Sequence, residues 1–148
     1  MNTRFVTLCR ITLGLLLLTF GSDYFLHFMP ELPVSKPGAA FLEALLATGY
    51  LFPVIKIIEI AAGILLLAGR FVPLALGLLA PIAFNIVLYH VFLDPNGRWI
   101  GLSTGILEAV LLVAYRKAYE GMWAAGDGRR ASETLRRAQP VAKPSFGN

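Results

Sequence analysis

The chain has 148 residues, 57% of them hydrophobic and 15% charged, with a mean hydropathy of +0.69. A soluble domain carries about a quarter charged residues, and this composition would leave one without a polar surface, so the chain belongs in a membrane. The net charge of +4 is concentrated in pairs (Arg116 with Lys117, Arg129 with Arg130, Arg136 with Arg137) rather than in a basic stripe interleaved with aromatics, which argues against a nucleic-acid partner and for topology and lipid-surface contact.

The N-terminus carries Arg4 and Arg10 before an apolar run that ends at Phe20. No small-residue cleavage site follows, so the run reads as an uncleaved first span over about residues 5–28. Twenty-four residues at about 1.5 Å each reach about 36 Å, enough for a hydrocarbon core of about 30 Å. Cys9, the one cysteine, excludes an internal disulfide, a dithiol motif or a cysteine zinc site, and reads as a small buried hydrophobe. Met29, Pro30 and Pro33 stop the span. Pro33, Pro37 and Gly38 open a loop, and residues 39–48 form a helix too short to cross a bilayer, interfacial or partly re-entrant, with Glu43 on its polar side.

The second span covers about residues 51–68. Gly69 and Arg70 make a turn so tight that the next span, about 71–93, must be its antiparallel neighbour. Pro81 inside that third span should kink it and free a carbonyl near Gly77. Asp94, Pro95, Asn96 and Gly97 form a turn, and the fourth span runs over about 99–119. Trp99 at one end and Tyr115, Tyr119 and Trp123 at the other suit two aromatic belts. Residues 120–148 read as a basic cytosolic tail, partly disordered, with a short amphipathic helix at 131–138 as one alternative. The expected fold is all-α: a four-helix membrane bundle with a short helix between spans 1 and 2. Arg4, Arg10, Arg70, Arg116, Lys117 and the tail fall on one side, against Lys36 and Arg98 on the other, so both termini are expected to face the cytoplasm.

Ionisable groups within a span are costly and mark sites by default. Lys56 and Glu59, three residues apart, share one helix face. Counted from the non-cytoplasmic ends, Asp23 and His27, Lys56 and Glu59, Asn85 and His90, and Ser103, Thr104 and Glu108 all lie within about 15 Å of the same surface. Four helices bringing polar groups to one half suggest a shared cavity in the outer half of the bundle. Lys56, Glu59, Asn85, His90 and Glu108 are the leading candidates to carry protons or bind a ligand; Asp23, His27, Arg10 and Thr104 are weaker ones. Each has a plainer reading. Lys56 and Glu59 neutralise one another, Asp23 and His27 are interfacial, Asn85 bonds between helices, His90 is a satisfied histidine, and Glu108 bonds to Thr104 one turn back. A metal site from His27, His90 and Glu59 has no supporting HxxxH or ExxH spacing, and no metal is expected. No Ser-His-Asp pattern, phosphate loop or dinucleotide fingerprint appears.

The run Lys56-x-x-Glu59-x-x-x-Gly63-Ile-Leu-Leu-Leu-Ala-Gly69-Arg70-Phe-Val-Pro73, then Pro81-Ile-x-x-Asn85-Ile-x-x-x-His90, with Arg10-x-x-x-Gly14-Leu before it, resembles the DoxX family of small bacterial membrane proteins. The resemblance spans roughly residues 10–119 and implies a four-span bundle in the bacterial cytoplasmic membrane. It also implies a link to redox physiology, since the family includes the small membrane subunit of a thiosulfate:quinone oxidoreductase, and other members associate with soluble oxidoreductases or sulfurtransferases. The first functional expectation is a membrane subunit of a quinone-linked assembly, with no intrinsic cofactor and no activity as an isolated chain. The second is a non-enzymatic scaffold whose basic tail holds a soluble partner. The third is a small-solute carrier, which with so few spans would need to form a homodimer.

Overall fold

The computed structural model describes residues 2–30 and 33–121; these are about 86% helical, and no strand occurs among them. Among the described residues, α1 (Thr3–Leu26), α2 (Lys36–Ala47), α3 (Leu51–Ala68), α4 (Val72–Leu88) and α5 (Arg98–Ala114) follow in order. A π turn, Tyr89–Leu93, extends α4, and a 3-10 turn, Pro95–Gly97, leads into α5. Four of these segments are long and apolar enough to cross a bilayer: Thr3–Leu26, Leu51–Ala68, Val72–Leu93 and Pro95–Ala114. The protein is a multi-pass four-helix membrane bundle.

Local chemistry sets the boundaries. Asn2 caps α1 by accepting the Arg4 amide at 3.0 Å. The exit of α1 is two residues earlier than expected, because His27 takes a left-handed conformation (φ 49°) and the Asp23 side chain accepts the Met29 amide at 2.7 Å. Helix α2 starts before residue 39. Ser35 accepts the Gly38 amide at 3.2 Å, and Pro37 fits the first turn, where its missing amide costs nothing. Between α3 and α4, Gly69 (φ +67°) closes a Schellman motif: its amide bonds the Leu66 carbonyl and the Arg70 amide bonds the Leu65 carbonyl, each at 3.2 Å. Pro81 lies inside α4 without ending it and lacks the amide that would bond the Gly77 carbonyl.

Helix α1 packs against α3 and α5, and α4 packs against the same two, so α1 stands diagonal to α4 and α3 diagonal to α5. The α1–α3 seam is the closest. A Cβ added at Gly63 would sit 2.9 Å from the Gly14 carbonyl oxygen, and one at Gly21 would strike Ile60. Small residues let backbones approach in lipid, where packing replaces the hydrophobic drive. The core runs through Leu13 and Leu17 of α1, Leu66 of α3, Leu76 and Leu79 of α4 and Leu111 of α5. Outside it, every span exposes large apolar side chains: Leu8 at 63%, Ile57 at 56%, Phe84 at 66% and Ile106 at 62%. A water-facing surface would not carry so many, and a lipid-facing one requires them.

The bundle unit ends at Tyr115, and α5 stops at Ala114, earlier than the expected 119. A second unit starts at Arg116 with a 3-10 turn, Arg116–Tyr119. Trp123, the helix expected at 131–138 and the paired arginines of the tail lie outside the described residues.

Candidate functional site

Lys56 and Glu59 form an ion pair inside the bundle, Nζ to Oε2 at 2.9 Å, with side-chain exposures of 16% and 3%. Helix spacing brings them together, and the glycine seam puts α1 against them: the Lys56 carbonyl lies next to Gly21. Aromatic rings edge the pair toward the α2 end of the bundle. The Lys56 ammonium stands 5.3 Å from the Phe52 ring centroid, Phe52 meets Tyr24 edge-on at 5.1 Å, and Tyr24 meets Phe25 at 4.9 Å. The ammonium has three donors, and only one has a side-chain acceptor among the described residues.

Glu108 lies in α5, on the opposite corner of the bundle, and is 3% exposed. Both carboxyl oxygens are buried without a hydrogen-bond partner among the described residues. The expected bond from Thr104 is not made. Thr104 is buried, but its hydroxyl donates to the Ile100 carbonyl at 2.9 Å, as does that of Ser103. A helical hydroxyl finds the carbonyl one turn back without ordering a second side chain, so the local acceptor wins. Glu59 and Glu108 occur about 12 and 15 Å along their helices from the same end of the bundle, so two acidic groups share the interior at similar depth.

The other leading candidates go elsewhere, and the chamber expected to gather all of them is not formed. Asn85 is exposed, in a shallow groove of about 240 Å³ with Phe41 of α2 and Leu88, Tyr89, Phe92 and Leu93. The reason is rotation about the helix axis. Helix α4 buries Leu76, Leu79 and Ala83, and a residue two positions after Ala83 points about 200° away from that face. His90 packs on Gly97 and Gly101, and its Nδ1 stands 3.0 Å from the Asp94 carbonyl oxygen. It closes the turn into α5 and lines a second groove of about 270 Å³ with Arg98 and Leu102. Asp23 secures the exit of α1, and His27 is exposed there. Arg10 lies at the far end of the bundle, its guanidinium over Gly69, where a cation complements the carbonyl end of α3. His27, His90 and Glu59 do not converge, and no group of three metal-ligating side chains occurs among the described residues.

One polar cluster was not foreseen. Asp94 is 4% exposed and accepts the Ser35 amide at 3.0 Å. The Ser35 hydroxyl donates to the Leu93 carbonyl, and Asn96 donates to the Pro33 carbonyl at 3.0 Å. These bonds fasten the segment before α2 to the turn between α4 and α5. The signal was Ser35 two residues before Pro37, a helix-capping pattern with no indication of its distant partner.

Fold and site together define a multi-pass four-helix membrane protein that keeps an ion pair and an unpartnered carboxyl between its spans. Comparison of the chain with family models, with curated proteins and with solved structures gave no match.

Proposed function

We propose that this chain is a DoxX-like membrane subunit of a quinone-linked redox assembly, resident in a bacterial cytoplasmic membrane with both termini in the cytoplasm. The observation that carries the reading is Glu108: a carboxyl with neither oxygen satisfied, inside the same bundle as a buried ion pair. A buried polar group without a partner is costly, and such groups within spans serve proton or ligand traffic. The motif residues behind the DoxX resemblance support it too, because Gly14 and Gly63 make the seam that holds Lys56 and Glu59 against α1.

In this reading the quinone head approaches along α1 and α3, against Phe52 and Tyr24, and a spare Lys56 N–H donates to a quinone carbonyl oxygen. Reduction of a quinone to a quinol takes two electrons and two protons. A soluble oxidoreductase or sulfurtransferase partner delivers the electrons, and Glu59 and Glu108 hold and pass the protons. The test is a titration of the full chain in nanodiscs with a short-chain quinone, followed by Trp99 fluorescence and by quinone retained after washing. Saturable quenching, weakened about tenfold or more by Glu59→Gln or Lys56→Met, is expected. A flat response at saturating quinone refutes the reading.

A second reading, a scaffold that holds a soluble partner at the membrane, draws on the paired arginines of the tail. Deleting residues 126–148 separates the two: the scaffold loses its partner, whereas the quinone response survives.

A further inference from the structure

Asn85 presents its carboxamide on the outer face of α4, about 12 Å inside the Leu93 end of the span, and has no side-chain hydrogen-bond partner among the described residues. Acyl chains offer it none. It is the single carboxamide within helices α1, α3, α4 and α5. The exposed face around it is ordered in a specific way. Leu74, Leu78, Pro81, Asn85 and Leu88 are all exposed and follow one another at spacings of four, three, four and three residues, the 3.5-residue period of a helix–helix seam. Beside that seam, a side chain added at Gly77 would meet nothing within 4 Å, so the face is open to close approach.

We infer that a second copy of this chain covers this face, in a twofold dimer whose two α4 helices meet at Asn85. Self-complementarity identifies the occupant. Every copy crosses the membrane in the same sense, so the twofold axis runs along the membrane normal and sets each seam residue opposite its own counterpart at equal depth. A carboxamide both donates and accepts, so Asn85 facing Asn85 closes two hydrogen bonds that lipid leaves open. One such residue within an apolar seam also sets its register and number of strands. The inference concerns the exposed face of α4, not the Lys56/Glu59 pair, and does not depend on the quinone reading.

The experiment uses the full chain in liposomes, in a Cys9→Ala background. Leu78→Cys on α4 is expected to cross-link under mild oxidation, and Leu15→Cys on α1, diagonal to α4, is not. Energy transfer between labelled copies diluted in lipid then gives the dissociation constant. Asn85→Leu should weaken it about 3- to 30-fold, and Asn85→Gln should retain most of it. Helicity by circular dichroism serves as the folding control, and the leucine variant is the more apolar of the two. Three results would overturn the dimer: equal cross-linking at Leu15→Cys, a monomer at every lipid dilution, or no weakening in Asn85→Leu. A monomer whose Asn85→Leu variant instead loses retained lipid or quinone would assign the amide to a small ligand.

Discussion

Glu108→Leu is expected to make the protein more stable and less active, an uncommon pairing for a buried substitution. Glu108 contributes two buried carboxyl oxygens with no hydrogen-bond partner among the described residues, and it sits one turn before fully buried Leu111. Each unsatisfied buried polar group costs about 1–3 kcal/mol. A leucine of similar size removes both and keeps the space filled, so the unfolding free energy should rise by at least about 2 kcal/mol, roughly a thirtyfold change in the folded ratio. Glu108→Gln keeps the polar burden and should change stability by under about 1 kcal/mol. The assay is reversible unfolding in mixed lipid–detergent micelles, monitored by far-ultraviolet circular dichroism, alongside the quinone response. A loss of 1 kcal/mol or more in Glu108→Leu would mean that the carboxyl has a structural partner, and the inference from its isolation would fail.

Lys56→Met strands Glu59 in the interior and should cost about 3–5 kcal/mol, whereas the double substitution Lys56→Met with Glu59→Leu should return to within about 1 kcal/mol of the native protein in the same unfolding assay. Gly63→Leu drives a side chain into the Gly14 carbonyl and Leu18, so α1 and α3 must separate; a cysteine pair placed across that seam should cross-link in the parent and fail to in the variant. Asp94→Ala removes the acceptor of the Ser35 amide and should weaken the attachment of α2 by about 1–3 kcal/mol, read as faster amide exchange at Ser35 and Gly38 with the four spans unchanged.

The spans were legible in the sequence, and the gathering of their polar groups was not. The second span, expected at 51–68, is α3 to the residue, and the third differs by one position. The turn at Gly69 was evident because glycine beside an arginine, between two apolar runs, leaves little else for the backbone to do. Helix ends depend on capping side chains that hydropathy does not show: Ser35 starts α2 three residues before the expected 39, and left-handed His27 ends α1. The burial of Asp94 has no local sequence signal, because its partner Ser35 is 59 residues away in the chain.

Hydropathy and length settle which segments cross a bilayer, because in hydrocarbon every backbone group must bond within its own helix and the thickness of the membrane sets how long that helix must be. Depth follows too, by counting residues. Rotation about each helix axis does not, since it depends on which neighbours offer a complementary surface. That rotation turned Glu59 and Glu108 inward, turned Asn85 out toward lipid only two residues beyond buried Ala83, and seated His90 on the glycines of the next turn.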